Sequence, residues 1–263
     1  MAFEFESKQR VVVIGGGPGG YEAALSAAQL GAEVTLIERQ GIGGAAVLTD
    51  VVPSKTLIAT AEFTSTLGRS EELGVKYFVT GDDNKAHKPE VAINLSAVNK
   101  RLIRLAKDTS DDMQDALRKV GVKVVDGHGR LDGTHAVIAS TTAGGTDFDR
   151  FEADTIVVSV GASPRVLPSA MPDGERILTW TQLYNLTELP EHIIVIGSGV
   201  TGAEFASAYS SLGSQVTLVS SRDTVLPGED ADATAVLEEV FERRGMTLLS
   251  KARAEKVERT DKG

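Results

Sequence analysis

Residues 11–40 read VVVIGGGPGGYEAALSAAQLGAEVTLIERQ, and residues 193–222 read IIVIGSGVTGAEFASAYSSLGSQVTLVSSR. The two segments are offset by 182 residues, align without a gap and share twelve of thirty positions. Each reads as an apolar strand, a G-x-G-x-x-G turn, a helix of small residues and a second apolar strand. The run at 11–14 suits a strand buried on both faces. Gly15 allows the tight turn, Gly17 lets a pyrophosphate approach the backbone, and Gly20 lets the helix pack closely on the sheet. The helix then points its first N–H groups at the phosphates. Gly197, Gly199 and Gly202 repeat the pattern after a strand expected at 192–196. One such unit binds one dinucleotide, so two units imply two dinucleotides and electron transfer between them. The fold class expected is α/β, with two Rossmann-like dinucleotide-binding units.

The copies differ where the second strand ends. In the first, Glu38 stands 23 residues after Gly15, where a carboxylate suits the two hydroxyls of an adenosine ribose. In the second, the same count from Gly197 reaches Ser220, followed by Ser221 and Arg222. Loss of the acid and gain of an arginine favour a 2′-phosphate, hence NADPH over NADH.

Composition narrows the function classes. The chain has 263 residues, 41% hydrophobic, with a net charge of −10 and a mean hydropathy of −0.04. That is the profile of a globular chain long enough for two modest domains. The acidic balance argues against nucleic acid as a main partner. The basic cluster Lys100, Arg101, Arg104 and Lys107 falls at helical spacing and reads as the wet face of an amphipathic helix. No stretch reaches the ~20 apolar residues of a membrane span, and the N-terminus MAFEFESKQR carries no signal-peptide core. A cytoplasmic protein is expected. Cysteine is absent, so disulfides, thiolate metal sites and thiol redox chemistry are excluded within this chain. The four histidines, His87, His128, His135 and His192, lack metal-ligand spacing, and no G-x-S-x-G elbow occurs.

Between the two units the pattern is coarser. Pro53 suits the first turn of a helix to about residue 67. Polar residues Gly81, Asp82, Asp83, Asn84 and Pro89 mark a surface insertion. A helix is expected at about 96–120, with Val98, Leu102, Leu105 and Met113 apolar. Short strands with turns at Asp132-Gly133 and Gly144-Gly145 fill 122–158. A proline-containing connector holds Trp180, for which a packing role is expected. A helix at 230–244, amphipathic through Ala235, Val236, Val240 and Phe241, and a strand at 246–249 complete the second unit.

Four blocks in order, GGGPGG with Glu38, GIGGAAVLTDVVPSK, ADTIVVSVGASPRVLP and GSGVTGAE, carry a resemblance to the N-terminal half of the class I pyridine nucleotide–disulfide oxidoreductases, the lipoamide dehydrogenase and glutathione reductase family. The resemblance implies FAD in the first unit and NAD(P)H in the second. It implies a FAD-binding domain at 1–165, a connector at 166–190 and a truncated NAD(P)-binding domain at 191–263. FAD is then expected on Gly15, Gly17, Pro18, Gly19, Gly20, Glu38, Arg39, Gly43, Gly44, Ala45, Val51 and Lys55. Backbone at His128 and Gly129 corresponds to the adenine contact, and Ser159 and Gly161 to the strand end near the flavin. The pyridine nucleotide is expected on Gly197, Gly199, Val200, Thr201, Gly202, Glu204, Ser220, Ser221 and Arg222. Lys55 and Glu204 correspond to the catalytic ion pair beside flavin N5, where an ammonium favours incoming electron density.

Two departures stand out. The family's redox cysteines fall at Ala46 and Val51, while Pro53, Ser54 and Lys55 are retained. GGAAVLTD resembles the cysteine-poor, lipoamide-dehydrogenase-like NAD(P)H:quinone reductases of actinobacteria. The second flavin motif and the interface domain are missing, so the second unit is expected to be incomplete at its C-terminus, with an open sheet edge. The leading expectation is an FAD-dependent NAD(P)H oxidoreductase with a quinone-like small-molecule acceptor and no metal, homodimeric in its full-length form. Two alternatives stay open: a dihydrolipoyl dehydrogenase-type disulfide reductase whose cysteines have been removed, and a non-catalytic nucleotide-binding fragment.

Overall fold

A computed structural model describes residues 8–80, 86–87, 91–140 and 147–260. The chain runs β1 (Arg10–Ile14), α1 (Pro18–Gln29), β2 (Glu33–Glu38), α2 (Gly44–Leu48), α3 (Val51–Gly68), β3 (Val79–Thr80), β4 (Ala86–His87) and α4 (Leu95–Lys119). It continues through β5 (Lys123–Asp126), β6 (His128–Leu131), β7 (Ala136–Ser140), β8 (Asp149–Glu152) and β9 (Thr155–Val158). After two 3-10 turns, Pro168–Ala170 and Trp180–Asn185, come β10 (His192–Ile196), α5 (Val200–Leu212), β11 (Gln215–Val219), α6 (Ala231–Arg243) and β12 (Thr247–Leu249). The residues Gly81, Asp82, Asp83, Asn84 and Pro89 and the turn at Gly144-Gly145 lie outside the described residues.

Two compact units emerge, one from residues 1–53 and 102–163, the other from 54–101 and 164–263. This division differs from the sequence boundaries at 165 and 191, because 54–101 and the connector both belong to the second unit. Asn99 supplies a physical reason. It is buried, and its side-chain amide donates to the carbonyls of Leu183 and Leu186 at 3.4 and 2.8 Å.

The first unit is layered around a parallel sheet of order β5-β2-β1-β9. Alternate residues of its strands point to opposite faces. Val13, Val34 and Leu36 pack with Ala24 of α1 and Leu117 of α4. Val12, Ile14 and Ile37 pack instead with Val137 and Ala139 of the antiparallel sheet β6-β7-β8. Burial on both faces explains why these strands read as unbroken apolar runs.

The second unit holds a parallel sheet of order β10-β11-β12. Ala206, Tyr209, Val216, Leu218 and Phe241 are buried in it, and the rings of Trp180 and Tyr184 lie 6.4 and 6.0 Å from Phe205. Trp180 therefore packs, as its connector position suggests. Strand β10 forms one edge of this sheet, with Ile194 and Ile196 exposed.

Helical apolar residues sort differently from the simple pattern. Leu95, Asn99, Leu102, Ala106, Ser110 and Leu117 form the buried stripe of α4, at spacings of three, four and seven, while Leu105 is exposed. Leu105 lies off that stripe by the 3.6-residue turn. On α6 the buried positions are Thr234 and Phe241, and Ala235 and Val236 face solvent. The helix expected to start at Pro53 begins at Val51, preceded by α2. Lys100, Arg101, Arg104 and Lys107 are all exposed, as a wet helix face requires.

Arg10 fastens β1 to the start of β9. Its guanidinium meets Asp154 at 2.9 Å, its N–H donates to the same carboxylate at 2.8 Å, and Asp154 N–H donates back to the Arg10 carbonyl at 2.9 Å. The guanidinium hydrogen bond, then the backbone one, lowers the Asp154 pKa from 3.8 to about 2. A depressed carboxylate adds stability that is complete above its unfolded pKa and is lost as pH falls through the folded one. Asp154→Asn should therefore flatten the acid limb of stability between pH 4 and 2, read by urea unfolding at each pH. An acid limb as steep as wild type would show that the pair contributes nothing.

Candidate functional site

Both glycine turns are built by the same close contact. Gly15 and Gly197 adopt positive φ, +99° and +114°. Gly15 N–H donates to the Ile37 carbonyl and Gly197 N–H to the Val219 carbonyl, each at 2.9 Å. A Cβ on Gly20 would stand 1.9 Å from the Gly15 carbonyl oxygen, and one on Gly202 the same distance from that of Gly197. Only glycine permits this approach of helix to strand end. Over Gly17 and Gly199, by contrast, a Cβ would meet nothing within 4 Å. These residues cap α1 and α5 without any side-chain bond, and neither first turn contains an acid. Two helix N-termini thus present unsatisfied N–H groups beside open space, the arrangement that receives a pyrophosphate. The residues present fit a dinucleotide in each unit.

In the first unit Glu38 ends β2 above the turn. Its carboxylate accepts from Gly16 N–H at 2.6 Å and from Arg39 and Gln40 N–H at 2.7 Å each. Gly43 N–H donates to the Gly16 carbonyl at 2.7 Å, and a Cβ on Gly44 would come within 2.8 Å of Gly17 Cα. Ser159 N–H donates to the Ile14 carbonyl, and Gly127 N–H to the Glu38 carbonyl, each at 2.8 Å. His128 opens β6, where a Cβ on Gly129 would meet Ile14 at 2.9 Å. Residues 15–20, Glu38, 43–44, 128–129 and Ser159 are thereby gathered near the C-terminal ends of β1, β2 and β9, where open α/β sheets bind ligands. Pro18 occupies the first turn of α1, where its missing N–H costs nothing. Arg39 and Gly161 are exposed. Ala45 and Ala46 lie on α2, and Val51, 49% exposed, opens α3.

In the second unit Lys55 of α3 and Glu204 of α5 form an ion pair through Nζ and Oε1. They are 149 residues apart in sequence. The pair is half-exposed, so water screens it and its own contribution to stability is small. Glu204 also borders a cleft of about 300 Å³ lined by Ile58, Ala61, Ser65, Ser207 and Arg244. Val200 and Thr201 form the first turn of α5. Ser220 is buried, its hydroxyl 2.7 Å from that of Ser198. Ser221 and Arg222 are exposed beyond it, and Arg222 makes no ion pair among the described residues. Ser198 is the polar site residue that motif reading passed over. The available signal was G-S-G against G-G-G at matched positions.

Two helix N-termini on parallel sheets, with a lysine–carboxylate pair, define a dinucleotide-binding α/β protein. The profile of the pyridine nucleotide-disulphide oxidoreductases matches residues 9–263, and the chain belongs to that family. Membership implies FAD and NAD(P)H as cofactor classes. The chain is 51% identical over 263 residues to an NAD(P)H dehydrogenase (quinone) of Mycobacterium tuberculosis, covering 97% of this chain and 51% of that protein. It is 33% identical over 253 residues to a dihydrolipoyl dehydrogenase of Zymomonas mobilis, covering 96% and 52%. The crystal structure of LpdA from Mycobacterium tuberculosis superposes with a TM-score of 0.86 at 48% identity, over 97% of this chain and 54% of that one. The chain spans about half the length of the curated relatives it matches. Among the described residues no helix is long and apolar enough to cross a membrane, and no group of metal-ligating side chains forms.

The turns separate two roles of glycine. Gly202→Ala should cost about 1–3 kcal/mol in unfolding free energy, because its Cβ enters the Gly197 carbonyl. Gly199→Ala should cost less, no more than about 1 kcal/mol, because its φ of −71° and open surroundings admit a methyl and the loss is only the poorer fit of alanine at a helix N-cap. Denaturant unfolding of both variants checks this, and equal losses would contradict it.

Proposed function

We propose that the protein is an FAD-dependent NAD(P)H oxidoreductase, preferring NADPH, that passes electrons to a quinone-like acceptor. Bound FAD supplies the centre that takes a hydride from nicotinamide and releases electrons singly or in pairs. The chain's residues provide binding, orientation and charge. The open N-terminus of α1 receives the FAD pyrophosphate, and Glu38 accepts from the ribose hydroxyls. The N-terminus of α5 receives the second pyrophosphate. By the family resemblance Lys55 would bring a positive charge to flavin N5, and its ion pair with Glu204 would fix where the ammonium lies.

The observation that carries the reading is this ion pair, in a chain whose two cysteine positions hold Ala46 and Val51. The ion pair of a disulfide reductase is kept, and the cysteine pair that would relay electrons by thiol–disulfide exchange is absent. Two apolar side chains suit a planar aromatic acceptor better than a dithiol. The quinone reductase relative from Mycobacterium tuberculosis supports the same choice. The dihydrolipoyl dehydrogenase relatives favour a disulfide reductase, but no sulfur is available here for exchange. By family resemblance, the whole protein is proposed to work as a cytoplasmic homodimer.

Steady-state assays with NADPH test the acceptor. Quinones and redox dyes should be reduced, and lipoamide and glutathione disulfide should not. Turnover of either disulfide in metal-free buffer would overturn the proposal. Lys55→Ala should slow flavin reduction about tenfold in stopped flow while FAD stays bound. That lies below the hundredfold or more of a sequestered electrostatic contact, since the pair is half-exposed. An unchanged rate would make Lys55 a surface residue.

A further inference from the structure

The turn between α2 and α3 adds a charge to the two sulfur-free positions. Thr49 and Asp50 N–H both donate to the Ala45 carbonyl, at 3.0 and 2.7 Å. The Thr49 hydroxyl donates to the same oxygen at 3.3 Å. These bonds fold the chain back at the end of α2. Asp50 is thereby pinned to the helix that carries Ala46, and it directly precedes Val51, the first residue of α3. Ala46 and Asp50 are half-buried, and Val51 is exposed.

An acid in that place has an ordinary use, which is to cap the helix that follows. Asp230 does so for α6, accepting from Asp232 N–H at 2.9 Å and from Ala233 N–H at 3.2 Å. Asp50 does not. Three residues on stands Pro53, which has no N–H to give. Among the described residues no N–H donates to the Asp50 carboxylate and no cation pairs with it. Other acids of the first unit are engaged: Glu38 accepts three backbone N–H groups, Asp154 meets Arg10 and Asp132 meets Arg150. Lys55, the next cation along α3, is taken by Glu204. The Asp50 carboxylate therefore keeps its whole charge for whatever approaches Ala46 and Val51.

We propose that Asp50 is a specificity-determining residue for the electron acceptor: beside the apolar Ala46 and Val51 it admits uncharged or cationic planar rings and turns away anionic ones. The inference rests on the reading that a quinone-like acceptor is received at these positions. At a separation of ~6 Å and with water screening, one like charge weakens an anion about three- to tenfold.

Reduction of an uncharged naphthoquinone and of its sulfonate by the FAD-reconstituted protein with NADPH tests it. The quantity read is the ratio of the two kcat/KM values, sulfonate over neutral, from which any fault of folding or flavin content common to both cancels. Asp50→Asn should raise that ratio about three- to tenfold. Asp50→Glu keeps the charge and should leave the ratio near wild type. Added salt should raise the ratio in wild type more than in Asp50→Asn, because it screens the repulsion. Naphthalene sulfonate takes no electrons and gives a readout without turnover. Its dissociation constant, followed by the oxidised flavin spectrum, should fall by the same factor in Asp50→Asn. Either quantity unmoved by Asp50→Asn, or moved as far by Asp50→Glu, would overturn the role of Asp50, while continued quinone turnover would leave the acceptor reading standing. A wild type that reduces neither quinone would overturn that reading, and the inference with it.

Discussion

Everything at the two nucleotide sites depends on one close approach, the third glycine of each turn against the carbonyl of the first. At 1.9 Å to a hypothetical Cβ, the contact admits no other residue without movement. It draws the first turn of α1 and of α5 onto the end of its strand, and so fixes where each helix presents its free N–H groups. The dipole and the unsatisfied donors then favour a pyrophosphate at that point. The same geometry appears twice, 182 residues apart, down to the 2.9 Å bond from the first glycine to the neighbouring strand.

On this shared scaffold the units diverge by few side chains. Glu38 ends the second strand of the first unit and Ser220 follows that of the second, the difference on which the proposed NADPH preference rests. At the cysteine positions of the family, Ala46 and Val51 remove the exchangeable sulfurs while Lys55 and Glu204 keep their ion pair. On the proposed reading, the retained ion pair serves electron uptake from a pyridine nucleotide, and the loss of the two sulfurs calls for a non-thiol acceptor.

The parts legible in the sequence are those with strong local signatures. The strand at Arg10–Ile14 and both glycine turns were readable because burial on two faces and close backbone approach leave few residue choices. The strand at His192–Ile196 was readable as the repeat of that pattern, although Ile194 and Ile196 are exposed. The Lys55–Glu204 contact was readable only through family resemblance, since no local pattern links residues that far apart. Finer features were hidden for physical reasons. Leu105 and Val236 are apolar yet exposed, because a helix face is set by its turn angle and not by composition. The membership of 54–101 in the second unit depends on tertiary contacts such as the Asn99 amide bonds. Ser198 was hidden because its partner, Ser220, becomes a neighbour only when the turn closes.

The central claim is that this chain accepts electrons from NADPH on a flavin and delivers them without thiols. An anaerobic spectral titration of the FAD-reconstituted protein tests it most directly. The visible flavin absorbance should bleach on addition of NADPH and return on addition of a quinone alone. Failure to retain FAD, a spectrum indifferent to NADPH, or colour restored by a disulfide but not by a quinone would contradict the account.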